Sequence, residues 1–283
     1  MMKRMSGWMN DQGAGKGKGA GKSGRGHGVR PAEGGAPSSF WDGQGFRERE
    51  WLDPWSRCEP CGSSPSADYT ELVLIVDKSG SMCGMEDDTI GGINALLAKH
   101  RESGVPTLVT VVLFDHHVRV LANRRSIDQV PQLTADSYEP GGCTALLDAV
   151  GTSISHMRQV QACQPKGFEA ANLIFVITTD GFENSSSHYT YAQVKSMIGA
   201  VEEEGWTFMF LGANMDAAQE AARIGIDAQS AASYVCDAAG SAIMFDAVSN
   251  ATVQMSSAPR RQAREARAAE WKDQIERDHA ARG

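Results

Sequence analysis

Three short stretches of this sequence place oxygen-bearing side chains at the ends of apolar runs or at the start of a helical pattern. Asp77-Lys78-Ser79-Gly80-Ser81 follows the run Leu72–Val76, Gly141-Gly142-Cys143-Thr144 opens a helical pattern, and Thr178-Thr179-Asp180-Gly181 closes another apolar run. Asp77, Ser79 and Ser81 alternate, so in an extended turn all three can face one point, while Gly80 lets the backbone bend tightly. Together with Thr144 and Asp180 they supply carboxylates and hydroxyls and neither His nor Cys, a hard donor set that suits Mg2+ or Mn2+ rather than zinc or copper. Mg2+ takes octahedral geometry at about 2.0–2.1 Å and keeps several waters. Such a set therefore leaves a position open to an outside ligand. Taken singly, each stretch also admits an ordinary role. Ser79 and Ser81 could cap the following helix, Thr144 could be an N-cap with Asp148 nearby, and Asp180-Gly181 could be a turn.

The elements that must position these loops are legible as hydrophobic periodicity. Strand-like runs occur at 69–77, 107–115, 117–121, 171–179, 206–212 and 232–236, with helical patterns at 87–102, 144–162, 189–205, 215–224 and 240–256. Runs such as Leu72–Val76 are apolar throughout, as expected of strands covered on both faces. The link between 115 and 117 is short and implies a hairpin, hence one antiparallel edge strand. The alternation predicts an α/β fold: a doubly wound, mostly parallel sheet with helices on both faces. In such folds working residues sit at the carboxyl ends of strands, near the point where strand order reverses.

Asp77-x-Ser79-x-Ser81, followed by Thr144 in a Gly-x-Thr context and Asp180 in Thr-Asp-Gly, resembles the metal-ion-dependent adhesion site of von Willebrand factor type A (vWA) domains. The resemblance covers about residues 67–256, and single-domain intracellular forms of bacteria and their phages are nearest in character. It implies a vWA/Rossmann-like fold in which Asp77, Ser79 and Ser81 are first-loop ligands. Thr144 then ligates directly when a partner is engaged, Asp180 acts through water, and an Asp or Glu of a protein partner completes the coordination. A divalent cation held by two formal negative charges keeps attraction for a third carboxylate. Lys78, Phe182, Glu183, Asn214 and Asp216 lie where they could rim that surface, although helix capping explains Asn214 and Asp216 equally well.

The function this predicts is a non-enzymatic protein-interaction module. Motifs for a Ser/His/Asp order, a nucleophile elbow, a His-Glu-x-x-His helix or a phosphate loop are missing from the sequence. An alternative is an adaptor subunit of an ATPase or chelatase-type complex, and a subordinate one a metal-dependent phosphoesterase. Glu86-Asp87-Asp88 could hold a second cation or simply favour a helix dipole. Asp115, His116 and His117 fall at the tight turn into the edge strand, where turn chemistry and exposure are the reading preferred over a metal site. Cys83 and Cys143 flank the candidate ligands and could approach closely enough to oxidise to a disulfide.

Charge divides the chain into three zones. Residues 1–50 carry nine Lys/Arg against five acids, residues 51–256 eleven against twenty-five, and residues 257–283 seven against five. An acidic middle is a poor nucleic-acid binder, since phosphate contacts supply most of that affinity, so only the basic ends could contribute weakly. Residues 1–45 read as a disordered Gly/Lys-rich tail whose KGKGAGKS lacks the first glycine and the preceding strand of a phosphate loop. Residues 46–66 read as a Trp-rich docking segment in which Cys58 and Cys61 form half of a possible zinc site. Residues 67–256 form the vWA-like domain and 257–283 a charged helix with a thin stripe of Ala263, Ala266, Trp271 and Ile275. No apolar stretch reaches the roughly 18–20 residues a membrane span needs, and MMKRMSGWMN lacks the apolar core of a signal peptide. The expectation is a cytoplasmic protein with reduced thiols.

Overall fold

The computed structural model describes residues 69–257 and 270–282. The expectations for the basic tail at 1–45, for the Trp-rich segment with Cys58 and Cys61, and for residues 258–269 of the charged tail lie outside the described residues.

The strands are β1 (Thr70–Asp77), β2 (Thr107–Phe114), β3 (Val118–Ser126), β4 (Asn172–Thr179), β5 (Thr207–Ala213) and β6 (Ala231–Tyr234). The helices are α1 (Glu86–Ser103), α2 (Leu146–Cys163), α3 (Tyr191–Glu203), α4 (Ala217–Ile224), α5 (Ala238–Ser256) and α6 (Asp273–Arg282). The sheet order is β3-β2-β1-β4-β5-β6. Only β3 runs antiparallel, at one edge, as the short link after β2 predicts. Strand order reverses between β1 and β4, and the crevice at their carboxyl ends is where such sheets bind ligands.

Alternation within each central strand divides the core into two layers. Leu72, Leu74 and Val76 of β1 face one way, with Ile93, Leu96 and Leu97 of α1, Met244 and Val248 of α5, and Trp271 and Ile275 from the carboxyl-terminal segment. Val73 and Ile75 face the other way, with Leu146 and Val150 of α2, Val194 and Ile198 of α3, and Ala217 and Ala221 of α4. Every residue of β1 and β4 is buried, which explains why those runs are apolar without interruption.

Local chemistry fixes the helix ends. α1 begins with Glu86, Asp87 and Asp88 and ends with His100 and Arg101 before Gly104 at φ 66°, so charge follows the helix dipole and glycine takes the left-handed cap. α3 starts in a capping box, with Thr190 accepting from the Gln193 backbone and the Gln193 side chain accepting from Thr190. β3 continues to Ser126, beyond the expected 121, because after an irregularity at Asn123 and Arg124 the strand resumes pairing with β2 through Arg125 with Val109 and Ser126 with Leu108. No helix among the described residues is long and apolar enough to cross a membrane.

Candidate metal centre

Asp77 ends the strand beside the reversal point and is fully buried. Its carboxylate is held from two sides: Oδ1 accepts from the Ser79 backbone N–H at 2.7 Å, and Oδ2 from Thr179 Oγ1 at 2.6 Å. Tyr138, also buried, donates its hydroxyl to the Asp77 carbonyl at 2.6 Å. Burial pushes the Asp77 carboxyl up to about 6, against the hydrogen bonds from Thr179 and Ser79. A carboxylate in this position is costly to keep charged without a cation.

After Ser79 the chain makes a short 3-10 turn over Gly80–Met82, where the alternation alone predicts an extended turn. Met82 N–H donates to the Ser79 carbonyl and Cys83 N–H to that of Gly80, closing the turn. The turn still brings the hydroxyls together, with Ser79 Oγ and Ser81 Oγ 3.1 Å apart. Ser81 Oγ donates to Asp180 Oδ1 at 2.6 Å across the gap to the β4 loop. Burial raises the Asp180 carboxyl and the Ser81 hydrogen bond opposes it. A Cβ built on Gly181 would stand 2.8 Å from Thr144 Oγ1 and 3.5 Å from Ser81 Oγ, so these two hydroxyls flank the same small space.

Backbone hydrogen bonds stitch the three loops together. Gly80 N–H donates to the Gly142 carbonyl at 3.1 Å and Gly141 N–H to that of Lys78 at 2.8 Å. The Thr144 carbonyl accepts from Asn184 and Ser185, while Thr144 N–H donates to Asn184 Oδ1 at 2.9 Å. The capping alternatives for the hydroxyls do not hold: α1 starts after Met85 and α2 after Ala145, neither with a side-chain cap. Asp77, Ser79, Ser81, Thr144 and Asp180 thus share one cleft edge as an all-oxygen set. Among the described residues no ion pair engages Asp77 or Asp180, and Lys78 is turned to Asp115. This donor set fits a hard divalent cation.

The expected rim residues have different surroundings. Phe182 is 57% exposed next to Asp180. The Glu183 carboxylate is engaged at the start of α2 and in its own loop, accepting from the backbone N–H groups of Leu147, Ser185 and Ser186 and from Ser186 Oγ. Asn214, at φ 53°, accepts from Cys236 N–H, and Asp216 caps α4 by accepting from Gln219 N–H. Sequence reasoning assigned no role to Thr179 or Tyr138, which hold Asp77. Thr179 carried a weak signal, a hydroxyl at the end of an otherwise apolar run; Tyr138, from a distant loop, carried none.

Glu86 turns back to accept from Gly84 N–H at 2.8 Å, in the turn before α1. Cys83 and Cys143 are both free and exposed. Asp115, His116 and His117 form the tight turn into β3, with Asp115 Oδ1 accepting from His117 N–H at 2.6 Å.

No family model matches the sequence, and no curated protein matches it. Among solved structures, the pilus adhesin SpaC from Lactobacillus rhamnosus GG in its open conformation matches with TM-score 0.53 and 12% identity, covering 68% of this chain and 31% of that one. The vWF domain of the type V pili tip protein Mfa5 from Porphyromonas gingivalis matches with TM-score 0.49 and 10% identity, covering 66% of this chain and 96% of that one. A von Willebrand factor type A protein from Catenulispora acidiphila matches with TM-score 0.48 and 17% identity, covering 66% and 43%. At these identities the likeness is one of fold, and the chain has a vWA-like α/β fold.

Proposed function

We propose that this domain binds a partner protein through a divalent cation, Mg2+ or Mn2+, held by Asp77, Ser79, Ser81, Thr144 and Asp180, with an Asp or Glu of the partner entering the open position. The observation that carries this reading is the continuous contact Asp77–Ser79–Ser81–Asp180, with Thr144 Oγ1 beside it, at the carboxyl edge where strand order reverses. When bound, the cation supplies a strong attraction for an incoming carboxylate. The chain's own residues do the positioning. Thr179 and the Ser79 backbone fix the Asp77 carboxylate, Ser81 fixes Asp180, and Asn184 fixes the backbone of Thr144. Phe182, exposed beside Asp180, offers an apolar contact to residues flanking the partner's acid. The role is binding, without chemistry on the partner.

A ligand that binds only the native state raises its melting temperature as concentration passes the dissociation constant. Wild-type protein is expected to gain thermal stability with Mg2+ or Mn2+, and Asp180→Ala to gain little. An equal gain in Asp77→Ala would remove Asp77 from the ligand set. Partner capture in Mg2+ is expected to be lost in EDTA and in Asp180→Ala, whereas capture indifferent to both would move binding away from this edge.

A further inference from the structure

The turn between β2 and β3 gathers a second, chemically different set of ligand atoms. Among the described residues, Asp115, His116 and His117 are the group of His, Cys, Asp or Glu that offers three ligand atoms within 4.8 Å of one another. Neighbouring residues of a strand point to opposite faces. Here the turn, closed by Asp115 N–H to the His117 carbonyl at 3.1 Å, brings both imidazoles to one side with ring centres 4.0 Å apart. His116 Nδ1 lies 3.3 Å and His117 Nδ1 3.8 Å from the same atom, Asp115 Oδ1. Ligands in a tetrahedral shell with bonds of about 2.0 Å stand roughly 3.3 Å from one another. The His116 spacing matches an edge of that tetrahedron, and the His117 spacing is somewhat longer.

Two supports hold the cluster. Asp115 Oδ2 is engaged by Lys78, and Oδ1 accepts from His117 N–H, so the carboxylate is oriented with Oδ1 toward the rings. Gly142 provides the space for His116: a Cβ there would stand 2.2 Å from His116 Nδ1. Carboxylates that ligate metals are typically oriented by hydrogen bonds from outer-shell groups. Asp115 is nearly buried while His116 and His117 are about half exposed, so the open side of the cluster faces solvent.

We propose that Asp115 Oδ1, His116 Nδ1 and His117 Nδ1 form a binding site for a borderline transition-metal cation such as Zn2+, distinct from the all-oxygen centre. Two imidazole nitrogens and one carboxylate oxygen select Zn2+, Ni2+ or Cu2+ over Mg2+. Three protein ligands leave a fourth position for water or a group from another molecule. Lys78 places a positive charge beyond the carboxylate and weakens the site without occupying a ligand atom.

The test is equilibrium dialysis of the full chain against Zn2+ in excess Mg2+, which keeps the oxygen centre supplied with its own ion. Wild type is expected to retain one more equivalent of Zn2+ than His116→Ala/His117→Ala, whose substitutions are at exposed positions and whose folding is checked by circular dichroism. Asp115→Asn is expected to bind that equivalent at least several-fold more weakly. Asp77→Ala is expected to keep it, which separates this site from the oxygen centre. Equal Zn2+ stoichiometry in wild type and the double variant would overturn the proposal, and so would loss of the equivalent in a folded Asp77→Ala protein.

Discussion

A methyl group at position 181 would stand 2.8 Å from Thr144 Oγ1 and 3.5 Å from Ser81 Oγ. The first distance is shorter than side chains tolerate, and Thr144 has little room to retreat because its backbone is tied to Asn184 on both its N–H and its carbonyl. Gly181 is not needed here for a left-handed backbone; it is needed because two candidate ligands occupy the space around it. Gly181→Ala is therefore expected to fold with a lowered melting temperature from the crowded, buried Thr144 side chain, so its metal response is compared with its own metal-free protein. Its Mg2+ affinity, read from the metal dependence of thermal unfolding, should fall at least about tenfold, equivalent to about 1.4 kcal/mol. An unchanged metal response would mean that Thr144 is not among the ligands.

At the scale of elements, the apolar runs predicted the order of strands and helices because β1 and β4 are buried on both faces and leave no polar break in the pattern. What escaped the pattern was polar or distant in sequence. β3 runs to Ser126 through Asn123, Arg124 and Arg125, and Arg124 reaches Glu71 of β1 with Nη2 at 2.7 Å, so an edge strand continues without apolar alternation. The loops that carry the candidate ligands were legible as strand-end loops from side-chain type and spacing, but Tyr138 and Thr179 act through tertiary contacts with Asp77 that no local spacing encodes. The α1–α5 contact makes the same point. A Cβ on Gly92 would lie 1.9 Å from Phe245 Cδ2, so these helices approach over a glycine that periodicity reads as an unremarkable helix interior. Gly92→Ala gains helix propensity yet overpacks a contact with a buried ring. Overpacking of this kind costs typically about 1–3 kcal/mol, against less than about 1 kcal/mol gained in propensity. Urea unfolding should show net destabilisation; a variant more stable than wild type would show that the two helices can separate freely.

At the scale of the whole molecule, two histidines couple distant elements and are buried in the neutral form. His100 of α1 bonds Thr252 of α5 at 2.9 Å, with its Nδ1 left unpartnered, and His156 of α2 bonds Asn123 of β3 at 2.9 Å. Burial lowers each to about 4, and Arg124 pushes His156 in the same direction. In the unfolded chain a histidine takes its proton near 6.5, so on acidification the unfolded state binds protons first. The stability these residues contribute is therefore fully present above about pH 6.5 and lost as pH falls toward 4. Glu71 has the opposite sign: burial raises it to about 7 despite Arg124, so its contribution is present below about 4.5 and lost as pH rises through 7. Because the two effects overlap, the informative quantity is the difference between wild type and His100→Gln or His156→Gln, from which Glu71 cancels. Each glutamine keeps a hydrogen-bonding group at its site but cannot titrate. Across the window from pH 6.5 to 4 the stability difference between wild type and either variant should shift toward the variant, by on the order of 3 kcal/mol at most. Urea unfolding at several pH values in that window measures it. A difference that stays constant with pH would mean that the histidine is solvated enough to titrate normally, and that its helix contact opens in the native state.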